Sequence, residues 1–149
     1  MLDTYKVVSR VKEIRKRVRL LEKRFKPLLE EELTKDEVLN SSAEHNLQVA
    51  IQACLDIANH IVASLGFSRE FDKNSEVFYE LAQEDILPGD FADKMISMTG
   101  YRNVLVHGYL NVKKGITYDN IQNRLPDLAQ FAQYIEKFLE KYEKNKTRK

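Results

Sequence analysis

Apolar residues at positions 7, 11, 14, 18, 21, 25 and 28 advance by alternating steps of four and three, the spacing of a single helical face turned toward a core. Lys and Arg fill most of the positions between them, so Val7 to Leu28 reads as one long amphipathic helix that Pro27 either ends or kinks. The acidic run Glu30-Glu31-Glu32 reads as the lead into a connection. Ser41, followed by Glu44, has the pattern of a capping box and opens a second helix, for which Gly66 supplies a left-handed stop. Within it, apolar residues stand at 47, 49 to 51, 53 to 55, 57, 58, 61, 62 and 65. So wide an apolar surface predicts a central helix touching several neighbours.

A shorter third helix is expected from about Asn74 to Ile86, closed by Leu87-Pro88-Gly89. Asp90 is positioned to cap a fourth, whose inward residues would be Phe91, Met95, Met98, Arg102 and Leu105. An arginine falls where an apolar residue is expected. Beyond a connection containing Gly115, Thr117 or Asp119 opens a last helical region, interrupted at Pro126 and resumed through Leu128, Phe131, Ile135, Phe138 and Leu139. Residues 144 to 149 are expected to form a frayed basic tail. Five Gly and three Pro are too few for the turns of an all-β chain. The pattern predicts an all-α, four- to five-helix up-down bundle occupying residues 1 to 149 as one domain.

The length of 149 residues suffices for a sizeable core. The net charge of +1 conceals a segregation: residues 1 to 26 carry ten Lys/Arg against three acids, 27 to 93 three against fifteen, and 94 to 149 eleven against five. These are either solvated helix faces or, if the first and last helices are adjacent, a positive surface for a polyanion. Cys54 is the only cysteine; it is expected to be a small core residue, and it excludes an intrachain disulfide and multi-cysteine zinc sites. The first residues lack a signal-peptide pattern and no apolar run reaches membrane-span length, so a cytoplasmic location is expected.

Candidate chemistry is concentrated in Arg102-Asn103-Val104-Leu105-Val106-His107-Gly108-Tyr109. Asn103 and His107 stand one helical turn apart, and the long Arg102 side chain can bend toward the same point. If Gly108 ends the fourth helix, His107 lies in the last turn, where the helix dipole favours imidazolium and suits proton transfer. Arg102 supplies a planar cation for a phosphate, and the set lacks the carboxylate cluster of a magnesium-dependent nuclease.

These residues resemble the HEPN superfamily, and more closely its HepT-like ribonuclease toxins, marked by Arg-x4-His-x-Tyr with Asn directly after Arg: here Arg102, Asn103, His107 and Tyr109. The resemblance extends to residues 43 to 51 and 56 to 61 of the second helix. His45 stands where Arg is frequent and Gly108 where an acid is commoner; neither is a proposed catalytic group. The resemblance implies a metal-independent endoribonuclease toxin without a cofactor, active as a two-fold dimer whose paired Arg102 and His107 face one cleft. It also implies a minimal nucleotidyltransferase antitoxin that adenylylates Tyr109, the assembly being the homodimer or a larger hetero-oligomer with that antitoxin. The chemistry is consistent: a ribose 2′-hydroxyl attacks its own phosphate, with His107 as base or acid, Arg102 on the phosphate, and Asn103 orienting imidazole or RNA. Packing at the mouth of the bundle is the competing role for Tyr109.

Asp56 and His60, four residues apart on the second helix, fit support for Arg102, a metal pair or an ordinary intrahelical contact. A di-iron site would need Glu-x-x-His on two helices, which the sequence lacks. The alternative function is a non-catalytic HEPN module that binds RNA, a nucleotide or a nucleotidyltransferase; a dimeric scaffold without ligand is a third possibility, because fold does not fix function.

Overall fold

In the computed structural model, which describes residues 1–67, 76–106 and 114–147, the elements are α1 (Thr4–Arg24), α2 (Glu30–Lys35), α3 (Glu37–Leu65), α4 (Val77–Gln83), α5 (Gly89–Val106), α6 (Lys114–Asn123) and α7 (Leu125–Thr147). All regular structure among the described residues is helical, as the periodicity predicts. Among the described residues seven helices replace the four or five expected: α2 occupies a segment read as a connection, and the last helical region, expected to open at Thr117 or Asp119, opens at Lys114 and divides before Pro126 into α6 and α7.

The apolar seam of α1 buries Val7, Val11, Ile14, Val18 and Leu21. Asp3 caps the helix by accepting from the Lys6 N–H at 3.0 Å, and the helix ends before Pro27 rather than kinking through it. Phe25 continues the seam just beyond the last turn and is buried. The three glutamates expected in a connection form the first turn of α2, where carboxylates complement the helix dipole. Leu33 pins that short helix to the core.

α3 begins at Glu37, earlier than the expected start at Ser41. The reason is Asp36, whose carboxylate accepts from Val38 N–H at 3.0 Å and Leu39 N–H at 3.1 Å. Ser41 is exposed inside the helix and has no capping role. Gly66 ends α3 as expected, with φ 74°, a conformation that costs a side-chain-bearing residue and not glycine. The Phe67 N–H closes the end on Val62 O at 3.0 Å.

Every other helix packs against α3, the central position its apolar surface predicts. Leu47, Ala50, Ile51, Cys54, Leu55, Ala58 and Ile61 are fully buried. Burial also pushes the Cys54 thiol well above its ordinary range, so it stays protonated as a core group. α7 contributes Leu128, Phe131, Ala132 and Ile135 to the same core, with Phe131 meeting Phe78 of α4 edge to face at 5.8 Å. Pro126 is accommodated in the first turn of α7, where its missing N–H costs nothing. The same helix extends through Thr147, so residues 144 to 147 are helical rather than frayed.

α1 and α7 lie against each other, as a joint surface requires, but their charge is partly paired at the seam by Arg15 and Glu136. Lys12, Lys16, Arg19 and Lys23 remain exposed on the outer face of α1.

The two candidate caps of α3 can be separated by substitution. Asp36→Ala should lower stability by about 1 kcal/mol, the usual worth of a cap, whereas Ser41→Ala should be close to neutral. Urea unfolding followed by circular dichroism would measure both.

Candidate functional site

Helix α5 carries Arg102 on the side that faces α3. The inward residues expected before it, Phe91, Met95 and Met98, are buried, while Arg102 and Leu105 are half-buried. A half-buried guanidinium requires acceptors, and two neutral carboxamides supply them. Arg102 Nη1 donates to Asn103 Oδ1 at 2.9 Å, and Nη2 donates to Gln52 Oε1 on α3. The Nε atom is buried and has no partner among the described residues.

Gln52 is fixed from its other side. Its Nε2 donates to Asp56 Oδ1 at 2.8 Å, and Asp56 Oδ2 lies 3.6 Å from Arg10 Nε of α1. The result is a chain of contacts, Arg10 to Asp56 to Gln52 to Arg102, that crosses three helices. Its physical effect is to orient the guanidinium without cancelling its charge, since no carboxylate touches Arg102 among the described residues. An arginine held in this way retains its attraction for an anion.

Asp56, one of the two residues considered as support for Arg102, therefore reaches it only through Gln52. His60 has other partners: its Nε2 accepts the Asp3 N–H at 3.0 Å and lies 3.4 Å from Ser64 Oγ. This histidine secures the start of α1. No three His, Cys, Asp or Glu side chains group to hold a metal ion among the described residues. His107 and Tyr109 lie outside those residues, as does Gly108.

Gln52 and Arg10 are the participants that sequence reasoning missed. The signal was available: the apolar positions of α3 leave a polar stripe at 48, 52 and 56, one helical turn apart each. The reach of Arg10 from another helix had no counterpart in local spacing.

The end of α5 is tied to α6 by a buried hydroxyl pair, Tyr101 Oη and Thr117 Oγ1, 2.7 Å apart. Thr117, expected as a helix opener, serves this contact instead. Burial raises the Tyr101 phenol well above its ordinary value of 10.0, and the hydrogen bond to Thr117 offsets only part of that. No helix among the described residues is long and apolar enough to cross a membrane.

Comparison with known proteins places this geometry in context. The family model described as Ribonuclease HepT-like matches residues 14–135. The mRNA nuclease HepT of Shewanella oneidensis is 34% identical over 102 residues, covering 67% of this chain and 74% of that protein. The tRNA nuclease HepT of Aphanizomenon flos-aquae is 30% identical over 96 residues, covering 64% of this chain and 65% of that protein. Among solved structures, the tri-AMPylated Shewanella oneidensis HEPN toxin in complex with its MNT antitoxin superposes with a TM-score of 0.79 at 26% identity, covering 91% of this chain and 98% of that one.

A titration follows from the Tyr101 contact. The folded state favours the protonated phenol, so its contribution is complete below pH 10 and is lost as pH rises beyond that value. Stability measured by urea unfolding should fall on the alkaline side, and Tyr101→Phe should flatten that fall.

Proposed function

This chain belongs to the HepT-like ribonuclease family, and we propose that it is the toxin of a toxin-antitoxin pair, a metal-independent endoribonuclease acting on cytoplasmic RNA. The observation that carries the reading is the state of Arg102. Its guanidinium is oriented by Gln52 and Asn103 while keeping its charge, the condition a phosphate-binding cation needs. The curated relatives named as mRNA and tRNA nucleases support RNA as the substrate, and the exposed cations of α1 favour approach of a polyanion.

In this mechanism the ribose 2′-oxygen attacks its adjacent phosphorus as His107 removes the hydroxyl proton. Arg102 holds the non-bridging oxygens and stabilises the charge of the phosphorane. The bond to the 5′-oxygen breaks, and His107 of the partner subunit delivers a proton to it. A two-fold dimer supplies the second imidazole and closes the cleft. Asn103 accepts a hydrogen bond from Arg102 and precedes His107 by four residues in the sequence. The products are a 2′,3′-cyclic phosphate and a 5′-hydroxyl, and DNA, which lacks the nucleophile, is not cut.

Regulation follows the complex of the Shewanella toxin with its MNT antitoxin. A minimal nucleotidyltransferase partner transfers AMP from ATP to Tyr109: the phenol oxygen attacks the α-phosphorus and pyrophosphate leaves. The phosphodiester adds a negative charge and a bulky base beside the motif, competing with RNA for Arg102.

Purified protein given single-stranded RNA in EDTA should cleave it and leave the 2′-deoxy analogue intact. His107→Ala should slow cleavage by about 10²- to 10⁴-fold, the usual contribution of general acid-base catalysis. Arg102→Ala should cost about 10²- to 10³-fold, and Arg102→Lys should restore little of it. RNA bound without cleavage would favour the non-catalytic module, and a 5′-phosphate product would discard the 2′-hydroxyl mechanism.

Incubation with the partner, ATP and Mg²⁺ should add adenylate mass at Tyr109 and suppress cleavage. Tyr109→Phe should keep the fold and part of the activity while escaping catalytic amounts of the partner. Peptide mass spectrometry would locate the modification, and its appearance on another tyrosine would return Tyr109 to a packing role.

A further inference from the structure

Between α1 and α3 lies a cleft of about 260 Å³, one of whose lining residues is Gln52, the residue that accepts from Arg102. Arg10 and Glu13 of α1 and Gln48, Gln52 and Asp56 of α3 provide its polar edge, and Val49 and Ala53 its apolar floor. Its volume falls just below the roughly 300 Å³ at which small-molecule pockets begin, enough for one flat ring system and too small for a whole nucleotide. A narrow apolar floor with convergent polar edges is the form such sites take.

The hydrogen-bonding capacity within the cleft is uneven. Both ends of the Gln52 carboxamide are committed, to Arg102 and to Asp56. Glu13 accepts from Arg17 Nε at 2.9 Å through one oxygen, and Arg10 meets Asp56 through Nε. Gln48, half-buried one turn before Gln52, has no hydrogen-bond partner among the described residues. It therefore presents a free amide, donor and acceptor together, at the rim. Arg10 adds an exposed planar guanidinium of the kind on which bases stack.

A phosphate is a poor occupant, because Glu13 and Asp56 line the same cleft. A neutral ring bearing an adjacent donor and acceptor is a good one. A glutamine amide pairs with both the N6 amino group and N7 of adenine, and the remaining carboxylate oxygens favour amino hydrogens.

We propose that this cleft is a base-reading subsite, in which Gln48 engages the adenine of the nucleotide next to the phosphate held by Arg102. Gln52 belongs to both places: it positions Arg102 and forms the wall between phosphate and base. The assignment of the adenine to an RNA substrate rests on the ribonuclease reading; the recognition of adenine by Gln48 does not.

Two measurements on the full chain test this separately. Adenosine, guanosine, cytidine and uridine are titrated into isotope-labelled protein while the side-chain amides of Gln48 and Gln52 are followed by NMR. Adenosine should shift them with an affinity about tenfold or more above the others, the discrimination of one good bidentate amide-base pair, and Gln48→Ala should erase the difference. In parallel, a random single-stranded RNA pool is cleaved and its ends are sequenced. Wild type should show adenine enriched at one position flanking the cut, and both Gln48→Ala and Gln48→Glu should flatten that enrichment with melting temperatures unchanged. Equal responses to all four nucleosides would overturn the subsite, as would cleavage whose base preference is indifferent to Gln48. Adenosine selectivity without any RNA cleavage would retain the adenine subsite and remove the ribonuclease reading instead.

Discussion

A helix packed against six others must find partners for the polar groups it buries, and α3 is such a helix. Most of its buried positions are taken by apolar side chains. Of the polar positions that remain, 48, 52 and 56 form one stripe, and α1 and α5 meet it with Arg10 and Arg102. The candidate site is therefore a product of how the core is closed. Gln52 is the joint: substituted by an apolar residue, it would leave Arg102 without its acceptor on α3, a loss costing on the order of 1–3 kcal/mol for a buried polar group.

Much of this was legible in the sequence because it depended on repeat spacing. The seam of α1 and the wide apolar surface of α3 are one-dimensional patterns that survive folding unchanged. Gly66 was legible for another reason, as a residue tolerant of positive φ placed where a helix should stop. Arg102 announced itself by occupying an inward position. The start of α3 was misplaced because two capping signals compete within six residues, and Asp36, with two amide partners, outcompetes Ser41. The support for Arg102 was only half legible. Asp56 lies on the right face, yet the atom that touches the guanidinium belongs to Gln52, and identifying it requires the packing of α5 on α3. His60 was grouped with Asp56 by spacing alone, whereas its partner Asp3 is 57 residues away.

The uneven charge along the chain has a related explanation. Arg10, Arg15 and Arg17 flank the buried seam of α1 and meet Asp56, Glu136, Glu13 and Asn46. These contacts are partly exposed, so each contributes modestly and more to register than to stability. The cations on the opposite face meet no carboxylate within ion-pair distance among the described residues. A basic helix thus divides its labour: its flanks fix the position of α1 beside α3, and its outer face leaves a field of positive charge turned to solvent.

The buried bond between Tyr101 and Thr117 joins α5 and α6 on either side of residues 107 to 113. Once those two helices are locked, a chain that joins them closes a gap whose ends are already fixed. Lengthening such a connection costs little, about 0.6 kcal/mol for each doubling. The seam between α5 and α6 is consequently insensitive to what links the two helices. Substitutions between the two helices would leave that seam in place, so the surface of the bundle has room to diversify while its interior stays the same.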